Sequence, residues 1–234
     1  MLSERLKAIA GMVSEGKVVA DIGTDHGYMV IELVKSGKCE KAIAMDINKG
    51  PLERAKAHIE ENGLSKCIIT RLSNGFSNLE KGEASSAVIA GMGGKLICGI
   101  LTEGKEIAKE LDEIIISPQS DIRYVRETLL KESFKILDED MVKEDGKYYN
   151  ILKIRYMPME NEDWDEVFLT YGKILTEKKN PVFKSYLKYE ENTLNGILSE
   201  LEKSGQAKDR YREIKEKALV NKKAQIMTEM QFPG

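Results

Sequence analysis

The chain has few of the features that mark several large classes of protein. It has three cysteines, Cys39, Cys67 and Cys98, and no Cys-x-x-Cys pair, which argues against a disulfide framework and against a zinc site. No run approaches the roughly 18 consecutive apolar residues of a membrane-spanning helix. Residues 1–5 do not resemble a secretory signal. We therefore expect a cytoplasmic protein with no metal site and no membrane partner.

An excess of charge of one sign is also missing. The 234 residues include 36 Lys and Arg and 39 Asp and Glu, which gives a formal net charge of −3. This balance argues against a surface that is basic throughout, but it leaves room for a local basic patch that binds nucleic acid. With 41% hydrophobic residues, the chain is long enough for one sizeable core and an appendage.

The first two thirds of the chain alternate short apolar runs with segments of helical periodicity, which predicts repeated strand-helix units around a parallel sheet. The predicted strands are 17–21, 41–46, 67–71, 86–90 and 113–117. The predicted helices are 3–13, 28–36, 50–62, 94–102 and 122–132. Two extended runs, 134–144 and 147–156, follow without a helix between them, and Asp145-Gly146 favours a hairpin turn there.

The last third of the chain has a different pattern. After residue 158 an acidic run, 160–166, indicates a linker, and no further strand is predicted. Apolar residues then recur at helical spacing on either side of Ser204-Gly205, which predicts two long antiparallel helices with a narrow apolar seam. We therefore expect a sheet domain over residues 1–157 and a projecting coiled-coil domain over residues 158–234.

The turn after the first predicted strand is the most informative motif, with the sequence Asp21-Ile22-Gly23-Thr24-Asp25-His26-Gly27-Tyr28. A strand, a glycine turn and a helix bring backbone N–H groups close to a ligand. A second apolar run ends in Asp46, and an acid there accepts hydrogen bonds from both hydroxyls of a ribose. We predict a nucleoside cofactor that contacts Asp21, Gly23, Gly27 and Asp46.

The strict G-x-G-x-x-G pattern of dinucleotide-binding proteins is missing, because Asp25 stands where the second glycine would be. A pyrophosphate beside this carboxylate would be repelled, whereas the sulfonium and amino groups of S-adenosylmethionine (SAM) would be attracted. We expect His26 to contact the cofactor rather than carry a proton. The alternative is that Asp21 and Asp25 merely cap the following helix.

Two further loops follow predicted strands. Asn74-Gly75 comes after the third strand, where an amide is suited to the edge of an adenine, although Asn-Gly is also a common turn. Gly91-Met92-Gly93-Gly94 comes after the fourth strand and lacks the Asp/Asn-Pro-Pro-Tyr loop of many amino-group methyltransferases. Its glycines allow a flat base to approach the backbone and Met92 offers a soft packing surface, although a tight helix start would also explain it.

Together these motifs resemble the bacterial tRNA (adenine-N1)-methyltransferase family that modifies adenine 22 of tRNA, known as TrmK. The likeness covers essentially the whole chain. It rests on Leu2-Ser3-x-Arg5-Leu6, the Asp21–Tyr28 turn, Ala90-Gly91-Met92-Gly93-Gly94 and the hairpin Glu144-Asp145-Gly146-Lys147-Tyr148-Tyr149. Where the family usually shows Leu-Gln-Pro after the fifth strand, this chain has Ser117-Pro118-Gln119-Ser120.

The resemblance implies a Rossmann-like class I SAM-dependent methyltransferase, with a mostly parallel seven-stranded sheet, an antiparallel last strand and a C-terminal helical coiled-coil domain. It implies methyl transfer to N1 of an adenine in tRNA. Neutral adenine N1 has an in-plane lone pair, so catalysis is mainly positioning. Asp25, which would stabilise the cationic product, and Met92, which would pack on the base, are the candidate catalytic residues.

The remaining site residues follow from the same resemblance. Tyr28, Ile47, Asn74, Gly75, Gly91 and Met92 join the cofactor contacts already named, and Arg5, Gly93, Gly94, Gln119 and Tyr148 are expected to bind substrate. The partner is tRNA, contacted by basic residues of the helical domain, although acids interleaved there also fit a solvated surface.

Three other functions stay open at this stage. They are a methyltransferase of small molecules or proteins, a SAM-binding module without turnover, and an NAD-dependent oxidoreductase. The sequence leaves the oligomeric state open, and a monomer is favoured.

Overall fold

The computed structural model describes residues 2–16, 18–158, 164–204 and 208–230. The chain forms two compact units, Met1–Glu162 and Asp163–Gly234. The domain boundary expected at residue 157 stays a prediction. Most of the predicted linker and the predicted break at Gly205 lie outside the described residues, as does Lys17. None of the described helices is long and apolar enough to span a membrane.

The first unit is built on one sheet whose strands are β1 (Val18–Ile22), β2 (Lys41–Asp46), β3 (Ile68–Leu72), β4 (Ser86–Ala90), β5 (Glu113–Ser117), β6 (Phe134–Glu144) and β7 (Lys147–Tyr156). The seven strands lie in the order β3-β2-β1-β4-β5-β7-β6. Strands β1 to β5 pair in parallel, and β7 pairs antiparallel with both β5 and β6. The predicted fold class, with one reversed strand contributed by the closing hairpin, is confirmed.

Six helices connect or cover these strands. They are α1 (Glu4–Met12), α2 (Tyr28–Lys35), α3 (Lys49–Glu61), α4 (Gly94–Glu103), α5 (Lys105–Ala108) and α6 (Ile122–Lys131). Strands β1, β4 and β5 are almost completely buried, which explains their continuous apolar sequence: a parallel sheet is covered on both faces. The short α5 was not predicted, because a single turn has no apolar periodicity to read.

Buried charges join the closing hairpin to the rest of the sheet domain. Arg126 of α6 donates from Nε to Glu139 Oε1 of β6 at 2.9 Å, and both side chains are at most 1% exposed. Glu113 of β5 accepts from Lys153 Nζ of β7 at 2.6 Å and from the Ser14 hydroxyl. Burial raises the pKa of Glu113, but the hydrogen bonds from these donors outweigh burial and hold the pKa below its usual range.

The second unit consists of α7 (Glu166–Tyr171), α8 (Lys173–Glu177), α9 (Pro181–Ser204) and α10 (Lys208–Glu229). Helices α9 and α10 run antiparallel, because Tyr211 contacts Glu202 near the connection while Asn221 reaches back to Leu187. Tyr171 of α7 donates to Glu190 of α9, which also accepts from Asn221 at 2.9 Å. The sequence predicted the two long helices, but it missed α7 and α8, which pack on them.

Candidate active site

A cleft of about 410 Å³ opens at the carboxyl ends of the central strands of the first unit. Strands β1 and β4 are neighbours there, and their connections lead to opposite sides of the sheet, which is where open α/β sheets bind ligands. Its volume lies in the range of about 300–1,000 Å³ usual for small-molecule sites. The lining residues include nine predicted from the sequence: Arg5, Asp21, Gly23, Asp25, His26, Gly27, Tyr28, Gly91 and Gln119.

The turn after β1 depends on its two glycines. Gly23 and Gly27 have φ angles of 82° and 71°, in the left-handed region that other residues avoid. The N–H groups of Gly23 and Thr24 both donate to Met45 O at the end of β2, which fixes the turn to the neighbouring strand. A Cβ atom on Gly27 would lie 3.2 Å from Ala55 Cβ, so glycine also permits the close approach of α2 to α3.

The first turn of α2 faces the same cleft. Gly27 is its N-cap and supplies no side-chain acceptor, while Tyr28 and Met29 line the cleft. The first N–H groups of a helix lack partners within the helix and carry partial positive charge. The first turn of α2 therefore offers backbone N–H donors to the carboxylate of a ligand. The side chains of Asp21 and Asp25, which also line the cleft, favour its positively charged groups.

Asp21 lies at the end of β1 and is 6% exposed. Burial raises its pKa from 3.8 to about 6; the negative charge of Asp46 also raises it, and the Thr24 hydroxyl acts in the opposite direction. A cation bound beside Asp21 would offset the cost of burying its ionised form.

Asp25 is held by two neighbours at the rim of the cleft. Its Oδ1 accepts from Arg54 Nη2 of α3 at 2.5 Å, and its Oδ2 lies 3.2 Å from His26 Nε2. Arg54 was not predicted, because only the packing of α3 against the turn brings it next to Asp25.

Arg5 reaches the cleft from α1. Its backbone N–H donates to Glu144 Oε1 of the hairpin at 3.2 Å, and its guanidinium carbon lies 4.9 Å from the ring centre of Tyr149. Desolvation raises the carboxyl pKa of Glu144, but hydrogen bonds from the Arg5 N–H, the Ser3 hydroxyl and the Glu4 N–H, with the charge of Arg5, hold it below its usual range. The hairpin motif was recognised in the sequence, but its role in holding Arg5 was not.

Two buried nitrogen atoms among the lining residues have no protein partner within the described structure, Arg5 Nε and His26 Nδ1. Buried polar atoms are rarely left unsatisfied, so a polar ligand is expected here. The carboxylate of Asp21, the start of α2 and these two nitrogens together fit the amino acid portion of SAM, which carries both charges.

Asp46 and Ile47 lie at the end of β2, beside the cleft rather than among its lining residues. Asp46 Oδ1 accepts from the Asn48 N–H at 2.7 Å, which orients the carboxylate, and Ile47 is 60% exposed. The Ser73 N–H donates to Asp46 O and brings the loop after β3 alongside. This edge of the sheet offers an acid for ribose hydroxyls next to an apolar surface for a base.

Asn74 and Gly75 follow that loop but line a different cavity of about 200 Å³, together with Phe76 and residues of α4 and α5. A Cβ on Gly75 would lie 3.1 Å from Ile100 Cγ2, so glycine is needed for packing at this turn. The structure thus does not place Asn74 and Gly75 in the main cleft. Their contact with adenine stays a prediction.

The glycines after β4 have separate roles. Gly91 has a φ of 82° and open space around it. Met92 packs its terminal methyl group over Gly23, since a Cβ there would lie 1.9 Å from Met92 Cε. The Gln119 N–H donates to Met92 O at 2.9 Å, which joins the two loops.

Gly93 and Gly94 begin α4 beside the loop that precedes α6. A Cβ on Gly93 would lie 3.2 Å from Ser120 Oγ, and one on Gly94 only 2.4 Å from Ser120 O. Gly94 is buried, so the close packing of these backbones requires its glycine. Substrate contact at either glycine stays a prediction.

Tyr148 is not among the residues that line the cleft. Lys143 Nζ lies 4.9 Å from the centre of its ring on the hairpin. Its neighbour Tyr149 is the tyrosine that contacts Arg5. Residues that alternate along a strand point to opposite faces, so the two tyrosines lie on opposite sides of β7.

The sheet with its reversed strand, the glycine turn and the acids at the ends of β1 and β2 define a class I SAM-dependent methyltransferase. Residues 2–152 match the family model described as a methyltransferase domain. The chain is 34% identical over 221 residues to the tRNA (adenine(22)-N(1))-methyltransferase of Bacillus subtilis, covering 93% of this chain and 92% of that protein.

Solved structures agree with this similarity along the whole chain. The crystal structure of the B. subtilis m1A22 tRNA methyltransferase TrmK has a TM-score of 0.83 at 31% identity, covering 96% of this chain and 99% of that one. M. capricolum TrmK, in complex with S-adenosyl-homocysteine, has a TM-score of 0.82 at 29% identity, covering 98% and 100%. The chain belongs to the tRNA (adenine(22)-N(1))-methyltransferase family.

Proposed function

We propose that this protein transfers the methyl group of SAM to N1 of adenine 22 in tRNA, in the cytoplasm. The observation that carries the proposal is the cleft between β1 and β4, where the Asp21–Tyr28 turn presents two carboxylates and a helix start. A dinucleotide fits this site poorly, because Asp25 would repel a pyrophosphate. The B. subtilis relative is named for adenine 22, which supports the substrate.

Different residues would hold the different chemical groups of SAM. Asp21 faces the positively charged groups, the first turn of α2 and Arg5 favour the carboxylate, and Asp46 accepts hydrogen bonds from the ribose hydroxyls. Ile47 offers an apolar surface to the adenine. SAM supplies an electrophilic methyl group on a sulfonium.

The protein has little proton chemistry to perform. Adenine N1 attacks with its lone pair, so no base has to remove a proton beforehand, and the effect of the site comes from orientation. Asp25, held by Arg54 and His26, would place negative charge next to the methylated base as it becomes cationic. Met92 is not among the residues that line the cleft, but its methyl group packs over Gly23, which is, and its polarizable side chain would pack on the base from there.

We further propose that the helical unit contacts the tRNA backbone through one face of α10. Exposed residues recur there at helical spacing: Lys208, Arg212, Lys215, Leu219, Lys222, Lys223 and Ile226. The opposite face, which carries Ile214, Asn221 and Ala224, is buried. Cations on an outward face supply the sequence-independent part of binding to RNA.

The direct test is incubation of the purified protein with SAM and unmodified bacterial tRNA, followed by nucleoside mass spectrometry. We expect 1-methyladenosine in the tRNA. The same assay on metabolite and peptide pools, without tRNA, tests the second candidate, a methyltransferase of small molecules or proteins. Methylation that appears only in those pools would replace the proposal.

The affinity for SAM is expected to fall in acid as Asp21 becomes protonated. Because the pKa of Asp21 in the free protein is about 6, its carboxylate is present above that pH and lost below it. The Kd for SAM should rise about tenfold per pH unit below that value, as measured by calorimetry. In the Asp21→Asn variant SAM should bind weakly at every pH, without this dependence.

The raised pKa of Asp21 also makes the free energy of unfolding depend on pH. Unlike SAM binding, which is stronger at high pH, the stability of the free protein is greater at low pH. The raised pKa means that the folded state keeps this proton more tightly, so stability is lost as the pH rises from about 4 to about 6. Asp21→Asn should therefore be more stable than the original protein at pH 7, by up to about 3 kcal/mol, and equally stable near pH 4. Equal stability at both pH values would contradict this account of Asp21.

Neutralising α10 should weaken tRNA binding in a salt-dependent way. Lys208, Lys215 and Lys223 form no ion pair with any residue that the structure describes. Their triple replacement by glutamine should lower the slope of log affinity against log salt by about 2–3. The matched control is Arg210→Gln with Lys217→Gln, whose cations are each held by Glu213 at 2.7 Å. An unchanged slope in the triple variant would remove α10 from the interface.

A further inference from the structure

A second cavity of about 690 Å³ lies next to the cleft, bordered by α1, α2 and α3. Leu6 and Tyr28 line both spaces, so the two are adjacent. We call this second space the α2–α3 groove. The residues that matter for its chemistry are Ser3, Tyr28, Ile31, Lys35, His58 and Asn62.

Three rings form the boundary between the cleft and the α2–α3 groove. His26, Tyr28 and His58 have ring centres 5.2–5.6 Å apart, and their planes are inclined by only 11–24°. Tyr28 is 49% exposed despite this stacking. A group of nearly parallel, partly exposed rings is the kind of surface on which nucleobases stack.

Hydrogen bonds hold the groove side of this surface in place. His58 Nδ1 lies 2.9 Å from His26 O, and because a carbonyl oxygen only accepts, Nδ1 is the donor. Asn62 accepts from Lys35 Nζ at 2.5 Å and donates to His58 O at 2.7 Å. The ring of His58 is thus oriented by the turn that also carries Asp25.

The charge of the groove favours a neutral ligand. The lining residues include two acids, Glu32 and Glu61, and one base, Lys35. A negatively charged phosphate would therefore gain little electrostatic attraction there. Ile31 and the two leucines give an apolar floor, while the amide, hydroxyl and imidazole groups suit the edge of a base. A nucleobase satisfies both conditions.

We propose that the α2–α3 groove binds the base of a nucleotide next to the target adenine, stacked on the cluster of His26, Tyr28 and His58. The inference rests on the proposed function, because only a polynucleotide substrate has such a neighbour. Drawing one base out of its stack exposes the faces of the bases beside it. A second stacking surface next to the cleft replaces one of those lost contacts.

The test combines a protein variant with a change in the RNA. The His58→Ala variant is assayed with intact tRNA and with tRNA that has an abasic nucleotide on one or the other side of adenine 22. We expect His58→Ala and one of the abasic changes each to raise KM for tRNA by about tenfold. Because both remove the same contact, their combination should raise KM no further. The Kd for SAM should not change.

Two further variants separate stacking from folding. His58→Phe keeps a flat ring and should recover most of the affinity for tRNA, whereas Lys56→Ala, an exposed change on the same helix, should have no effect. If the increases in KM from His58→Ala and from the abasic tRNA multiply when the two are combined, base binding in the α2–α3 groove is refuted. An equal increase in KM in His58→Phe and His58→Ala would also refute it. Failure of the original protein to methylate intact tRNA would instead refute the proposed function.

Discussion

Replacement of Asp46 by alanine is expected to weaken SAM binding about 100-fold in calorimetric titration. The carboxylate stands at the end of β2 and is oriented by the Asn48 N–H, so it is prepared to accept hydrogen bonds from both ribose hydroxyls. Charge-assisted hydrogen bonds contribute about 1.5–3 kcal/mol each, and about 1.4 kcal/mol corresponds to a tenfold change in affinity. Loss of two such bonds therefore removes most of the recognition of the nucleoside.

Two variants control this experiment. Asp46→Asn keeps one acceptor oxygen and should show an intermediate loss. Glu40→Ala removes an exposed acid just before the opposite end of the same strand, and it should leave SAM binding unchanged. A change of less than threefold in Asp46→Ala would show that the ribose is bound elsewhere.

The Arg126→Met variant is expected to lower the free energy of unfolding by about 3–5 kcal/mol. The substitution leaves Glu139 buried without its cation, and the cost of an unpaired buried charge exceeds the value of the ion pair itself. Chemical denaturation followed by circular dichroism measures the loss. Because Arg126 and Glu139 join α6 to β6, the closing hairpin should be affected first.

The double variant Arg126→Met with Glu139→Leu distinguishes this cause from a general packing defect. Removal of both charges should restore most of the lost stability, since no unpaired charge remains. Arg123→Met breaks an exposed pair with Glu127 on the same helix and should cost less than about 1 kcal/mol. A double variant as unstable as Arg126→Met would contradict the role of the buried charge.

The sheet was predictable from the sequence because its strands are buried on both faces. Continuous apolar runs marked β1, β4 and β5, and Asp145-Gly146 marked the hairpin turn. Predicted boundaries were within one residue for these strands, and β3 began one residue later than expected, at Ile68. The family likeness then supplied the reversed direction of β7, which periodicity alone does not determine.

The helices that were missed are short. Helices α5, α7 and α8 have four to six residues, too few for an apolar period to appear. Their positions follow from tertiary contacts, such as that of Tyr171 with Glu190. The helical unit therefore contains two short helices, α7 and α8, in addition to the predicted hairpin of two long helices.

The cleft was predicted more completely than the groups that support it. Glycines and acids at strand ends have local signals, so Asp21, Gly23, Asp25 and Gly27 were found. Arg54 reaches Asp25, and Glu144 and Tyr149 reach Arg5, across long sequence separations. The hairpin motif contains Glu144 and Tyr149, but no local pattern indicates these contacts. Asn74 lines another cavity, and because its dipeptide also marks ordinary turns, its contact with adenine stays a prediction.

The measurement that tests the account most directly is the mapping of methylation by reverse-transcription stops. A methyl group on N1 blocks the Watson–Crick edge, so each modified adenine stops the transcriptase. Incubation of an unmodified tRNA mixture with the protein and SAM should give one new stop, at adenine 22, and none in transcripts with guanine at that position. Stops at other adenines, or none with SAM bound, would contradict the assignment.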